Sequence, residues 1–173
     1  DFFRRGLELQ RRHARPGMTF ENTIQTNGTT ITPEWAAFLA EERFLVGISI
    51  DGPRELHDGN RVDKGGNASW SQVMHGLRLL QEHGVEYNVL TTVNRLNADY
   101  PLEVYRFLRD EVGTTWMQFI PVVERVDDEG RPDPMHGMHA SERSVRPAQF
   151  RRFLTAIWDE WVRNDVGTVF VQT

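Results

Sequence analysis

Phe44-Leu45-Val46-Gly47-Ile48-Ser49-Ile50-Asp51-Gly52-Pro53 is the stretch on which the fold turns. Phe44 to Ile50 is the longest apolar run in the chain. A short, uninterrupted apolar run is what a strand buried on both faces presents. Asp51-Gly52-Pro53 stops it. Upstream, residues 21 to 27 read as a shorter strand broken at Asn27-Gly28. Between the two strands, Thr32-Pro33-Glu34 opens a helix, with Thr32 as cap and Pro33 in the first turn. Trp35, Phe38 and Leu39 supply its buried stripe. Downstream, Arg54 to Ala68 reads as a polar loop, after which Ser69 caps a helix. Trp70, Val73, Met74, Leu77 and Leu80 recur there with helical spacing, and His83-Gly84 ends it.

The same alternation continues. Residues 85 to 93 read as a strand, and Pro101 to Asp110 as a helix with Leu102, Tyr105 and Leu108 inward. Residues 114 to 123 form a strand interrupted at Pro121. Glu124 to Arg146 reads as a long loop. Pro147 to Asn164 is a helix with Phe150, Phe153, Leu154, Ile157, Trp158, Trp161 and Val162 in one stripe. Thr168 to Thr173 is β-rich, and Phe2, Phe3, Leu7 and Leu9 have helical spacing at the start. Single helices between strands imply a parallel α/β sheet in one domain, residues 1 to 173. A doubly wound sheet and a section of a β/α barrel both fit the pattern. The abrupt ends suggest an interior piece of a longer protein, with a trimmed complete domain as the alternative.

Composition excludes several classes. The net charge of −5 gives no support to a nucleic-acid or anionic-membrane surface. Without cysteine, the chain alone holds no disulfide, zinc ribbon or iron–sulfur cluster. No apolar run approaches the roughly 20 residues of a membrane span, and the amino end does not read as a signal peptide.

In parallel β/α folds, function gathers at the carboxyl ends of strands. That rule selects Gln25 to Gly28, Ser49 to Pro53, Asn88 to Asn94 and Gln118 to Val123. Gln25, Ser49, Asn88 and Gln118 are polar residues in apolar strands, and such groups need partners. The loop after Asp51 carries Arg54, His57, Asp58, Arg61 and Asp63. Arg61 has the chemistry to grip a carboxylate bidentately, or to form a surface ion pair with Asp58 or Asp63. Lys64-Gly65-Gly66-Asn67 lacks the phosphate-loop pattern. His136 and His139 sit in a Pro- and Gly-rich setting unsuited to a rigid metal site, so no metal ligand is assigned. Glu41-Glu42 and Asp127-Asp128 read as solvated faces.

Taken together, Ile24-Gln25-Thr26-Asn27-Gly28-Thr29, the Phe44 to Pro53 run, Arg61-Val62-Asp63-Lys64-Gly65-Gly66, Leu102 to Phe107 and Gln118 to Arg125 resemble one family. It is the anaerobic sulfatase-maturating enzymes, a branch of the radical S-adenosylmethionine (SAM) enzymes. The resemblance implies a partial parallel β/α barrel, of which this chain covers roughly the third to sixth units. It implies SAM and [4Fe–4S] clusters as cofactors, with the CxxxCxxC loop, the auxiliary-cluster cysteines and the catalytic base outside this chain. Ser49 and Arg61 correspond to residues that contact SAM, Arg61 at its carboxylate. Val123 corresponds to a backbone contact with adenine. Gln25 and Asn27 line the same rim, and Asn88 and Gln118 face substrate. The implied reaction oxidises a Cys or Ser of an unfolded sulfatase segment to Cα-formylglycine through a 5′-deoxyadenosyl radical. A flavodoxin- or ferredoxin-like electron donor and a cytoplasmic location go with it. The fragment by itself is expected to be inactive. Two alternatives are another radical SAM peptide maturase and a non-catalytic degenerate barrel that binds a partner.

Overall fold

The computed structural model describes residues 2–173; Asp1 lies outside them. α1 (Phe2–His13) precedes β1 (Thr23–Thr26), α2 (Pro33–Glu41) and β2 (Leu45–Ser49). α3 (Arg54–Asp58), α4 (Trp70–Glu82) and β3 (Tyr87–Val93) follow. α5 (Pro101–Arg106) continues as a π-turn over Phe107–Glu111 before β4 (Trp116–Pro121). A small hairpin, β5 (Arg125–Val126) and β6 (His139–Ala140), leads to α6 (Pro147–Asn164) and β7 (Phe170–Gln172).

Five strands pair in the order β1-β2-β3-β4-β7, all parallel. Alternate residues give the sheet two different faces. Val46, Ile48, Ile50, Val89, Val93, Met117 and Phe119 are buried against the helices in one continuous core. Those helices contribute Phe38 and Leu39, Val73 and Leu77, Tyr105 and Leu108, and Phe153 and Ile157. The opposite face carries Gln25, Ser49, Asn88, Gln118 and Gln172, with Trp116 and Phe170 substantially exposed. Helices cover one face only. A doubly wound sheet is covered on both, so the structure selects the barrel section that the sequence pattern left open.

Local chemistry explains most of the boundaries. Thr32 caps α2 as expected, its hydroxyl accepting from the Trp35 N–H at 3.3 Å. Ser69 does not cap α4. Asp58 does, accepting from the Ser69 and Trp70 N–H groups at 3.0 and 2.8 Å, because the Ser69 hydroxyl is bonded elsewhere. The supposed loop after Pro53 begins with α3, which buries Leu56 and His57. The segment 124–146 is pinned by its hairpin and by Arg95, which bonds Arg143 and Ser144 carbonyls. In α6 the inward stripe is narrower than the sequence suggests. Phe153 and Ile157 are buried, whereas Trp158 and Val162 face outward.

α4 lies directly on the turn after β1. A Cβ added at Gly76 would overlap the Gly28 carbonyl oxygen. Gly76→Ala gains ~1 kcal/mol of helix propensity but overpacks against backbone, which cannot rotate away. Overpacking costs roughly 1–3 kcal/mol, and the upper end applies here. Urea unfolding should show a net loss of stability; a gain would mean that α4 has room to shift.

Candidate functional site

The carboxyl end of β2 is built around a buried carboxylate. Gly52, with φ +130°, turns the chain sharply after Asp51. Asp51 has no solvent exposure. Thr92, at the end of β3, donates its N–H to Oδ1 and its hydroxyl to Oδ2, each at 2.8 Å. Asn60 donates to Oδ2 at 3.1 Å. Arg61 closes the set through Nε to Oδ2 at 2.8 Å and Nη2 to Oδ1 at 3.2 Å. Arg61 Nη2 also donates to the Thr92 hydroxyl at 3.3 Å. Among the described residues Arg61 Nη1 has no partner, and the side chain is 24% exposed. Arg61 is thus bidentate to Asp51, not to Asp58 or Asp63. Asp58 caps α4, and Asp63 accepts from Gly65 and Asn67 within its own turn.

His57 fixes the backbone beneath this pair. Its Nδ1 accepts from the Asp51 N–H at 3.3 Å, which leaves the proton on Nε2. Nε2 then donates to the Ser69 hydroxyl at 3.2 Å, and that hydroxyl donates to the Arg61 carbonyl at 3.0 Å. The Arg61 N–H is held by the His57 carbonyl at 2.8 Å. Asn97 bonds the Asp51 and Thr92 carbonyls. Each of these buried polar groups is satisfied, as low dielectric requires.

The strand register locates the remaining candidates. Ser49 stands opposite Leu90, Leu90 opposite Gln118, and Gln118 opposite Gln172. Asn27 is next in register beside Ser49. Gln25 and Asn88 flank Gly47 in the row below, about 7 Å toward the amino ends of the strands. The structure therefore brings Asn27, Ser49 and Gln118 into one row and sets Gln25 and Asn88 beneath. Ser49 and Gln118 make no side-chain hydrogen bond among the described residues, whereas Asn27 accepts from Thr29 in a local turn. Asn88 Oδ1 is buried without a partner. Val123 is exposed beyond β4. Its neighbours are occupied: Val122 bonds Val93 and Val145, and the Glu124 N–H bonds Ser144. Among the described residues the Val123 N–H and C=O are both free, which suits a main-chain contact.

Sequence reasoning assigned no role to Asp51, His57, Asn60, Thr92 or Asn97. Asp51 had a signal, since a carboxylate at the end of a predominantly apolar, buried strand demands donors. The others are polar residues of ordinary loops. Among the described residues no three His, Asp or Glu side chains are grouped to hold a metal ion, and no helix is long and apolar enough to cross a membrane.

The sequence profile of the radical SAM superfamily matches residues 2–108. The chain belongs to the radical SAM superfamily. It is a homologue of anaerobic sulfatase-maturating enzymes. The serine-type enzyme of Bacteroides thetaiotaomicron is 46% identical over 178 residues, covering 99% of this chain and 42% of that protein. A cysteine-type enzyme of Clostridium perfringens is 35% identical over 162 residues, covering 93% and 41%. The solved structure of anSMEcpe with bound AdoMet superposes with TM-score 0.85 at 32% identity, covering 98% of this chain and 43% of that one. The chain therefore spans about two fifths of the length of these relatives. The Asp51–Arg61 pair thus lies at the carboxyl-end rim of a radical SAM barrel section.

Burial holds the His57 pKa below its ordinary 6.5; Asp51 opposes that shift, Arg61 adds to it and Asp58 opposes it. The unfolded chain takes up this proton first. The contribution of neutral His57 is complete above pH 6.5 and is lost as the pH falls below it. His57→Gln keeps a donor and an acceptor without titrating. Its urea-unfolding stability should depend less on pH between about 7 and about 5 than that of the parent. Equal slopes would remove His57 as a source of acid sensitivity.

Proposed function

We propose that this chain is the SAM-orienting section of an anaerobic sulfatase-maturating enzyme, which oxidises a Cys or Ser of an unfolded sulfatase segment to Cα-formylglycine. The observation that carries this reading is Arg61. Its guanidinium is fixed at the strand-end rim by Asp51, with Nη1 left free. Identity to curated maturases over nearly the whole chain supports it, as does the likeness to anSMEcpe structures with bound AdoMet and peptide.

Bound beside a reduced [4Fe–4S] cluster, SAM supplies one-electron hydrogen-abstraction chemistry. This chain has no cysteine and does not itself ligate such a cluster. Its own residues fit SAM. Arg61 Nη1 donates to the SAM carboxylate, and the free Ser49 hydroxyl reaches the same end of the ligand. The unpaired backbone of Val123 meets the adenine edge. Asn27 completes the rim beside Ser49, and Gln25 lies one row beneath it, on the interior side of the ligand. Gln118, without a side-chain partner among the described residues, offers hydrogen bonds to the main chain of a peptide in the barrel interior, and Asn88 lies in the row beneath it on the same face. Held this way, SAM and peptide meet in fixed orientation with water excluded. The partners of this reading are the unfolded sulfatase segment and a flavodoxin- or ferredoxin-like electron donor, in the cytoplasm.

Asp51 occupies the Nε–Nη2 edge of Arg61, and the remaining Nη2 N–H is directed to the Thr92 hydroxyl. The two N–H groups of Nη1 remain, on one nitrogen, which puts the contact at the low end of roughly 1.5–3 kcal/mol. Arg61→Ala in the full-length, cluster-reconstituted enzyme should weaken SAM binding about tenfold, measured by anaerobic equilibrium binding. Unchanged affinity would take Arg61 out of the site. Mass spectrometry of Cys- and Ser-containing sulfatase peptides tests the reaction itself.

A further inference from the structure

We propose that Asp51 is a positioning residue for SAM, acting through Arg61; the proposal rests on the reading of Arg61 just given. Asp51 has no lone pair to spare for a ligand. Oδ1 accepts from the Thr92 N–H and Arg61 Nη2, and Oδ2 accepts from Asn60, Arg61 Nε and the Thr92 hydroxyl. With no solvent exposure, it touches neither substrate nor cofactor. What it does is hold the guanidinium plane. The Nε–Nη2 edge is turned inward onto the carboxylate, and Nη1 is the group left over.

Two physical consequences follow for the ligand. A free arginine side chain has many rotamers, and ordering it on binding weakens affinity. Here the ordering is complete before SAM arrives. The second consequence is electrostatic. SAM carries a sulfonium, an ammonium and one carboxylate, so its net charge is positive. An unpaired Arg61 attracts the carboxylate but repels the molecule as a whole. Asp51 neutralises that field at longer range and leaves the short Nη1 contact intact.

The carboxylate is itself held from two sides. Thr92 anchors it to β3. Asn60 anchors it from the loop after α3, and Asn60 Oδ1 in turn accepts from Arg143 Nη2 at 3.0 Å. Asn60 therefore offers a milder handle on the same pair, because its removal leaves the charge of Asp51 in place.

A double-mutant cycle in the full-length, cluster-reconstituted enzyme tests the proposal. SAM affinity is measured by equilibrium binding for the parent, Asp51→Asn, Arg61→Ala and the double variant, with circular dichroism and iron content as folding checks. Asp51→Asn should weaken SAM binding about tenfold in the parent and by less than about twofold when Arg61 is already alanine. If Asp51→Asn does not fold, Asn60→Ala takes its place, with a several-fold loss that again vanishes in the Arg61→Ala background. Equal losses in both backgrounds, or no loss in either, would overturn the proposal while leaving SAM binding intact. A parent enzyme that binds no SAM would instead overturn the proposed function, and this inference with it.

Discussion

The carboxylate of Asp51 is out of water at the end of the central strands, and the rim of the sheet is organised by what that burial requires. An isolated ionised carboxylate in a protein interior costs several kcal/mol, and only donors converging on both oxygens make it tolerable. Here the donors come from two pieces of chain, the end of β3 and the loop after α3. Thr92 ties β2 to β3, Asn60 ties in the loop after α3, and Arg61 brings the opposite charge. Removing one of them would leave the others facing an under-satisfied charge. The rim is therefore held together by electrostatics as well as by the apolar core behind it.

That core lies entirely on the helix side. Val46, Ile48, Ile50, Val89, Met117 and Phe119 point into it, and the strand period of two sends Ser49, Asn88 and Gln118 to the other face. The same alternation sends Asp51 and Thr92 to that face, where they meet across β2 and β3. Core packing thus sets the register, and the register delivers the polar rows. A slip by one residue would bury Ser49 in the apolar core and turn Ile48 to the opposite face. Stability and site geometry are specified by one pattern read on its two faces.

The parts of this arrangement that depend on spacing within a single element were legible in the sequence. α2, α4 and α6 announce themselves through apolar stripes and through Pro33 and Pro147, and β2 through its unbroken run. The strand-end rule also pointed to Ser49 and Gln118, which the register places side by side in one row with Leu90. Other parts depend on contacts between segments, and sequence spacing does not report these. α3 is five residues long and buries only Leu56 and His57, too little for a periodic signal. Asp58 took the capping role from Ser69 because His57 and the Arg61 carbonyl had claimed the serine hydroxyl. The hairpin within 124–146 rests on two-residue strands whose partners are far apart in sequence. Trp158 and Val162 looked like core because aromatic and branched residues usually are, yet both are exposed on the outer side of α6.

On the proposed reading of Arg61, a structural ion pair and a ligand contact are not alternatives. An arginine free to move would satisfy itself with whichever surface carboxylate was nearest, and Asp58 and Asp63 are both close in sequence. Those two are engaged by backbone N–H groups instead: Asp58 by the start of α4 and Asp63 by its own turn. Asp51 is left as the partner, and its geometry accepts only one edge of the guanidinium. The ion pair is therefore the means by which the remaining nitrogen is presented. A guanidinium has five N–H donors in a rigid plane, so saturating one edge aims the other. A lysine at position 61 could keep the charge, but its ammonium has no second edge to aim.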